Sequence, residues 1–104
     1  MEDINREALI ILQEECAEVI QSISKCFRFG IDNQHKAGIT QRANLEEEIG
    51  DMLCLVDILI AQGLIDPEHL KVAKEKKIEK LKVWSSLYGN KGKKYDSSKF
   101  VIGL

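Results

Sequence analysis

Apolar residues recur every three or four positions along the first stretch of the chain. They are Ala8, Ile11, Leu12, Cys16, Val19, Ile20, Ile23 and Phe27. This spacing predicts a helix of roughly five turns with one apolar face. Asp3 is its predicted N-cap, and Gly30 is expected to end it, because glycine commonly follows the last helical turn.

A second apolar stretch predicts a second helix, which begins at Thr40 or at Asn44. Asn44 followed by Glu47 fits a capping box, and Gly63 is expected to close the helix after about Gln62. Its apolar residues cover most of its circumference: Leu45, Ile49, Met52, Leu53, Leu55, Val56, Ile58, Leu59 and Ile60. Because a helix that is apolar nearly all round must be covered on several sides, we expect the chain to form at least a dimer.

A third helix is predicted to begin at Asp66 and Pro67, since this pair matches an N-cap followed by proline at the first helical position. Helically spaced apolar residues then continue until Gly89: Leu70, Ala73, Ile78, Leu81, Trp84 and Tyr88. The large aromatic residues of the first and third helices are expected to lie in the core. These are Phe27, Phe29, Trp84 and Tyr88.

The segment between the first two helices, residues 30–42, is polar and contains two glycines. It shows no clear period, so we expect a loop there. Since no strand pattern stands out anywhere, the predicted fold class is all-α. We expect one domain over residues 1–89, a bundle of three main helices completed by oligomerisation, followed by a tail over residues 90–104.

Composition narrows the function without identifying it. The chain has 104 residues and a net charge of −2, which does not favour a nucleic-acid surface. Three cysteines without a CxxC motif indicate free thiols in a reducing compartment, and we therefore expect a cytoplasmic protein. The chain shows no signal-peptide pattern and no apolar run of membrane-spanning length, so no membrane partner is expected.

Two pairs of acidic residues lie close to the apolar faces of the first two helices. Each residue advances about 100° around a helix, which places Glu15 inside the apolar sector and Glu18 at its edge. On the second helix, Glu48 lies inside the apolar sector and Asp51 lies at the rim. Each helix therefore carries an inner acid and, three residues later, a rim acid.

Four carboxylates gathered between packed helices would repel one another unless a cation lay among them. One such pair is common on helix surfaces and would usually be a solvated face. Two pairs with the same geometry on successive helices indicate a shared site. Oxygen ligands without cysteine or histidine favour Mg²⁺, with Mn²⁺ as the alternative, over Zn²⁺.

Two lysines of the third helix, Lys74 and Lys77, fall within the sector of its apolar residues. A lysine in this position can extend its ammonium group to the edge of the core and serve no site. Alternatively, the two lysines bind a polyanion held beside the carboxylates. Acidic ligands for Mg²⁺ and lysines for phosphates together describe a nucleoside triphosphate site.

The motif EECAE (Glu14 to Glu18), followed by EEIGD (Glu47 to Asp51), resembles the EExxE and ExxD signature of the MazG-like nucleoside triphosphate pyrophosphohydrolases. The resemblance covers roughly Leu9 to Leu87. Members of this family are all-α homodimers or homotetramers that use Mg²⁺ to split a nucleoside triphosphate into monophosphate and pyrophosphate. The sequence IxKxFRFG, from Ile23 to Gly30, also resembles small phage-encoded members, which would act in the host cytoplasm.

The resemblance implies a role for each candidate residue. The implied Mg²⁺ ligands and catalytic residues are Glu15, Glu18, Glu48 and Asp51, and the implied phosphate-binding residues are Lys74 and Lys77. Hydrolysis would occur at the α-phosphorus, where a metal-bound water is activated. Glu18 or Glu48 would take the proton of that water, and the sequence does not rank them.

Three other classes of protein also place acidic residues between helices. A phosphoribosyl-ATP or dUTP pyrophosphatase of the same superfamily would use similar acids. A non-enzymatic helical interaction module would pair its acids with lysines between helices and would not depend on metal. A di-iron bundle requires Glu-x-x-His on two helices, and the chain contains no such motif.

Overall fold

A computed structural model of the chain describes residues 1–87. Along these residues the elements are α1 (Asp3–Phe29), β1 (Gln34–Lys36), β2 (Ile39–Thr40), α2 (Gln41–Ala61) and α3 (Pro67–Trp84). The all-α fold class with three main helices is therefore confirmed. The predictions about Tyr88, Gly89 and the tail over residues 90–104 lie outside the described residues.

Helix α1 ends where the sequence predicted. It stops at Phe29, and the backbone N–H of Gly30 donates to the carbonyl of Cys26 at 3.0 Å. Gly30 has a φ of +92°, and a Cβ atom at this position would lie 2.6 Å from the side-chain nitrogen of Asn33. The positive φ favours glycine here, because other residues rarely adopt it, and a larger residue would also displace the Asn33 side chain. At the other end the N-cap is Glu2, so Asp3 is the first helical residue and not the cap.

The connection between α1 and α2 contains a small antiparallel hairpin, where a loop was predicted. Gln34 pairs with Thr40 and Lys36 pairs with Ile39. The strands have only three and two residues, which is too short for an alternating pattern to appear in the sequence. The expectation of no strand is thus wrong at this point, although the fold class is unaffected.

Helix α2 begins after Thr40, whose hydroxyl accepts a hydrogen bond of 3.1 Å from the backbone N–H of Ala43. Of the two predicted starts, Thr40 is correct and Asn44 is wrong, because Asn44 lies in the first turn. The helix runs to Ala61, and Gly63 follows it with a φ of +76°. This end agrees with the predicted one.

Helix α3 begins as its sequence indicates. The carboxylate of Asp66 accepts a hydrogen bond of 2.9 Å from the backbone N–H of Glu68, and Pro67 is the first helical residue. The helix ends at Trp84, earlier than expected. The hydroxyl of Ser85 donates to the carbonyl of Leu81 at 2.7 Å. It thereby gives a hydrogen-bond partner to one of the last carbonyl groups of the helix.

The chain divides into two compact units, Met1–Leu64 and the part that begins at Ile65. In the first unit, α1 packs along α2. Among residues 1–87, the only apolar side chains in the fully buried class are Ala8 and Leu59. None of the helices within these residues is long and apolar enough to cross a lipid bilayer.

Several large apolar side chains expected in the core are exposed. Phe27 is 86% exposed, Trp84 is 84% exposed and Phe29 is 47% exposed, so the sequence-based core assignment of these three residues is wrong for the isolated chain. Apolar faces of this kind are typical of surfaces that are covered in an assembly. Oligomerisation itself stays a prediction.

Candidate metal centre

The four predicted acids lie on the two helices of the first unit. Glu15 and Glu48 are half-buried, and Glu18 and Asp51 are exposed. This is the arrangement of inner and rim acids that the angular positions predicted. The inner acids belong to the faces along which α1 and α2 pack, and the rim acids border them.

Three of these side chains form a cluster. Glu15, Glu48 and Asp51 each present one carboxylate oxygen, and the three oxygens lie within 4.8 Å of one another. Two helices thus contribute to one group of acids, although their residues are far apart in sequence. Glu18 lies outside this set of three.

A hydrogen bond between two polar side chains sets the register of the two helices beside the cluster. The amide of Asn44 donates to the hydroxyl of Ser22 at 3.1 Å. Ser22 follows Glu18 by one turn, and Asn44 precedes Glu48 by one turn. The antiparallel helices therefore bring their acidic pairs to the same level. This bond joins residues 22 positions apart, so no local sequence pattern predicts it.

The acids act on one another electrostatically. The pKa of Glu48 is raised above its ordinary value, first by desolvation and then by the negative charges of Glu18, Asp51, Glu15 and Glu47. All the charged groups that shift this pKa are carboxylates. Three ion pairs of the described residues join other groups: Asp32 with Arg42, Asp66 with His69 and Glu79 with Lys82.

The geometry of the cluster fits a hard divalent cation. Magnesium binds oxygen at about 2.0–2.1 Å, so two ligands on opposite sides of the ion lie about 4.2 Å apart. Only one pair among three ligands can lie on opposite sides, and neighbouring ligands of an octahedral ion lie about 3 Å apart. The three oxygens of the cluster lie within 4.8 Å of one another, so side-chain rotations that bring neighbouring oxygens closer by up to roughly 2 Å would complete this geometry. The donors are carboxylates only, which favours Mg²⁺ or Mn²⁺ over Zn²⁺.

The two lysines of the candidate site lie on α3. Lys74 is half-buried and Lys77 is exposed. Helix α3 belongs to the unit that begins at Ile65, which is described by itself. The role of the two lysines therefore stays a prediction.

Comparison with known proteins adds an independent observation. The family model of the MazG nucleotide pyrophosphohydrolase domain matches residues 5–82. The matched region contains all four acids and both lysines of the candidate site. No curated protein and no solved structure matches the chain.

Proposed function

The chain belongs to the MazG nucleotide pyrophosphohydrolase family, and from this premise we propose that it hydrolyses a nucleoside or deoxynucleoside triphosphate to the monophosphate and pyrophosphate. The observation that carries this proposal is the cluster of Glu15, Glu48 and Asp51 oxygens within 4.8 Å. These residues come from both motifs that resemble the family signature, and they lie within the matched region.

The cluster would hold Mg²⁺, with Mn²⁺ as the alternative. When bound, the ion would offset the charge of the triphosphate and lower the pKa of a water molecule at the α-phosphorus. Glu15 and Glu48, which are half-buried, would be ligands whose positions are restricted by the packing around them. Asp51, at the exposed rim, would face the substrate. The raised pKa of Glu48 supports this assignment, because the repulsion among the clustered carboxylates that raises it would be relieved by a bound cation.

We assign Glu18 the role of the general base. It is exposed and lies outside the set of three clustered oxygens, yet its charge is close enough to raise the pKa of Glu48. A carboxylate that is not occupied as a ligand is available to orient the attacking water and accept its proton. The alternative role, a fourth metal ligand, is distinguished experimentally below.

Lys74 and Lys77 would bind the phosphates. An ammonium group supplies a point charge and three donors, which suits the oxygens of a pyrophosphate leaving group. Both residues lie within the matched region. Their charge would stabilise the negative charge that develops on the leaving group.

A homodimer or homotetramer is the proposed assembly. The exposed side chains of Ile20 and Phe27 on α1, and the apolar circumference of α2, would be covered by a second copy. The cysteines Cys16, Cys26 and Cys54 are free thiols, which supports a cytoplasmic setting.

Product analysis tests the activity directly. Purified protein is incubated with each common NTP and dNTP, with Mg²⁺ or with EDTA, and the products are separated by ion-exchange chromatography. We expect monophosphate and pyrophosphate only where metal is present. Orthophosphate as the product would contradict the reaction type. If no common triphosphate is hydrolysed, phosphoribosyl-ATP is the next substrate, and its failure would favour an interaction module.

A further inference from the structure

A cavity of about 280 Å³ opens in the first unit where the end of α1 meets the hairpin and the start of α2. Its walls are formed by Lys25, Phe29, Gln34, His35 and Gln41. Gln41 closes one side, because its side chain is 2% exposed and its amide nitrogen donates to the carbonyl of Gln34 at 3.3 Å. The mechanism proposed above uses none of these residues.

The walls of the cavity contain basic groups and no acidic one. Lys25 and His35 are both half-buried, and a histidine offers an N–H donor in either protonation state. A third basic group adjoins them, because the guanidinium of Arg28 lies 4.9 Å from the centroid of the Phe29 ring. Neither Lys25 nor Arg28 belongs to the three ion pairs described above. Both charges can therefore meet a ligand.

This end of the first unit differs in charge from the rest of the unit. Residues 25–42 contain four lysines and arginines and one acid, whereas the remainder of residues 1–64 contains one arginine and eleven acids. The one acid, Asp32, already accepts two hydrogen bonds from Arg42. The end of α1 and the start of α2 meet here, and their opposite dipoles partly offset each other. The side-chain charges therefore make this end of the unit attractive to anions.

The chemistry of the basic groups indicates an anion with several charges. Lys25 and Arg28 have only donors, so their ligand must accept hydrogen bonds. Lysine and arginine are also the residues that commonly bind phosphate oxygens. A diphosphate spreads more charges over more oxygens than a carboxylate does, and it can contact several basic groups at once. A cavity of this volume has room for several water-sized groups, which suits a diphosphate.

We propose that this cavity is a second anion site, which binds a diphosphate group through Lys25, Arg28 and His35 without a metal ion. Lys25 follows Glu18 by seven residues, which is about 10 Å along α1 and about 20° around it. The cavity therefore adjoins the face of α1 that carries the acidic pair, at a distance too great for a shared metal ion. The diphosphate has two sources, free pyrophosphate and the terminal phosphates of a nucleoside triphosphate. The inference rests on the proposed function only for this source.

The test uses inorganic pyrophosphate and the full chain labelled with ¹⁵N. The buffer is freed of metal with a chelating resin, because EDTA is itself a polyanion, and the ionic strength is kept at about 0.15 M to screen non-specific attraction. We expect saturable chemical-shift changes at Lys25 and His35. Changes confined to α3 would place the anion at Lys74 and Lys77 and would overturn the proposal, as would the absence of saturable binding.

Matched variants locate the binding. Lys25→Met and Arg28→Met should each weaken pyrophosphate binding about tenfold or more, the effect of losing one hydrogen bond from a charged group. Lys36→Met is the control, since it removes the same charge from an exposed lysine of β1 that does not line the cavity. An equal loss in all three variants would show general attraction to a basic surface and would overturn the site. If Lys25→Met does not fold, as judged by circular dichroism, the exposed residues Arg28 and Lys36 decide.

Hydrolysis assays identify the source of the diphosphate. In the Lys25→Met variant, a higher KM for the triphosphate would identify the terminal phosphates of the substrate as the ligand. A higher inhibition constant for pyrophosphate at an unchanged KM would identify the free product.

The same assays separate this inference from the proposed function. If triphosphates are hydrolysed and Lys25→Met matches the wild type in both constants, the cavity assignment is wrong and the activity stands. If pyrophosphate binds as expected and no triphosphate is hydrolysed, the proposed activity is wrong and the cavity assignment stands.

Discussion

Asn44 lies opposite Ser22 across the interface of α1 and α2, and its amide donates to the buried Ser22 hydroxyl over 3.1 Å. The bond is one helical turn from the acidic pair of each helix. A shift of either helix along the other would break it and would also separate Glu15 from Glu48 and Asp51. The stability of the helix pair and the geometry of the cluster are therefore coupled at this point.

The first prediction follows from this coupling. Ser22→Ala should lower the free energy of unfolding by about 1–2 kcal/mol, because the Asn44 amide loses its partner inside the interface. It should also weaken Mg²⁺ binding. Urea unfolding and calorimetric metal titration measure the two effects. Ser24→Ala, on the exposed side of the same helix, is the control and should change stability by no more than about 0.5 kcal/mol.

The second prediction concerns the inner acids. Glu15→Gln and Glu48→Gln should each lower kcat/KM by about 100-fold or more. Mutation of residues that only hydrogen-bond to metal ligands already lowers metal affinity or activity by about 10–100-fold. Each substitution should also reduce the rise in Tm that Mg²⁺ produces in the wild type. Glu14→Gln, an exposed neighbour in the same motif, should retain both properties. Wild-type turnover in either inner variant would refute the metal assignment.

The third prediction separates the two roles of Glu18. If Glu18 is the general base, Glu18→Gln should lower kcat by roughly 10²–10⁴-fold. The Mg²⁺-dependent rise in Tm should then persist, because the three clustered ligands remain. Loss of that rise together with activity would instead identify Glu18 as a fourth ligand. Thermal melts with and without Mg²⁺ distinguish the two outcomes.

The fourth prediction concerns pH. The pKa of Glu48 in the folded chain is raised from its ordinary value of 4.5 by desolvation and by neighbouring acids. Between 4.5 and the raised pKa, the folded state binds more protons than the unfolded state, so the free energy of unfolding falls as pH increases. Metal-free protein should therefore lose stability across this window. Glu48→Gln should reduce the loss, as measured by Tm in EDTA at a series of pH values.

The fifth prediction concerns the phosphates. Lys77→Ala should raise the KM for a triphosphate about tenfold, the effect of losing one charge-assisted contact. Its Tm should stay close to that of the wild type, since the side chain is exposed. Lys76→Ala, an exposed neighbour on α3, is the control. If the two variants have the same KM, Lys77 does not bind the substrate.

The helix ends were predictable where one residue type serves one backbone requirement. Gly30 ends α1 at a positive φ, and the pair Asp66 and Pro67 starts α3. The start of α2 was ambiguous because two residues, Thr40 and Asn44, suit an N-cap equally well. The structure uses Thr40 as the cap and gives the amide of Asn44 to Ser22. The partner of Asn44 is distant in sequence, so no local pattern indicates that its amide is used there and not as the helix cap.

The acidic cluster was predictable in outline, because helical angles place Glu15 and Glu48 on the packed faces of their helices. The exclusion of Glu18 from the group of three oxygens depends on the distance between the helices, which the sequence does not contain. The hairpin between α1 and α2 was not predicted, because strands of three and two residues are too short to show an alternating pattern.

The hairpin that joins the two helices is held by its own bonds. Arg42 forms two hydrogen bonds with the carboxylate of Asp32, and the backbone N–H of Gln41 donates to the carbonyl of Asn33 at 2.8 Å. At its tip, a Cβ added to Gly38 would meet nothing within 4 Å. The base of the hairpin is fixed by these hydrogen bonds, whereas Gly38 at its tip is exposed. Residues inserted beside Gly38 would therefore extend into solvent. An affinity tag or a fluorescent domain can be fused there, inside the chain, without moving a residue of the acidic cluster.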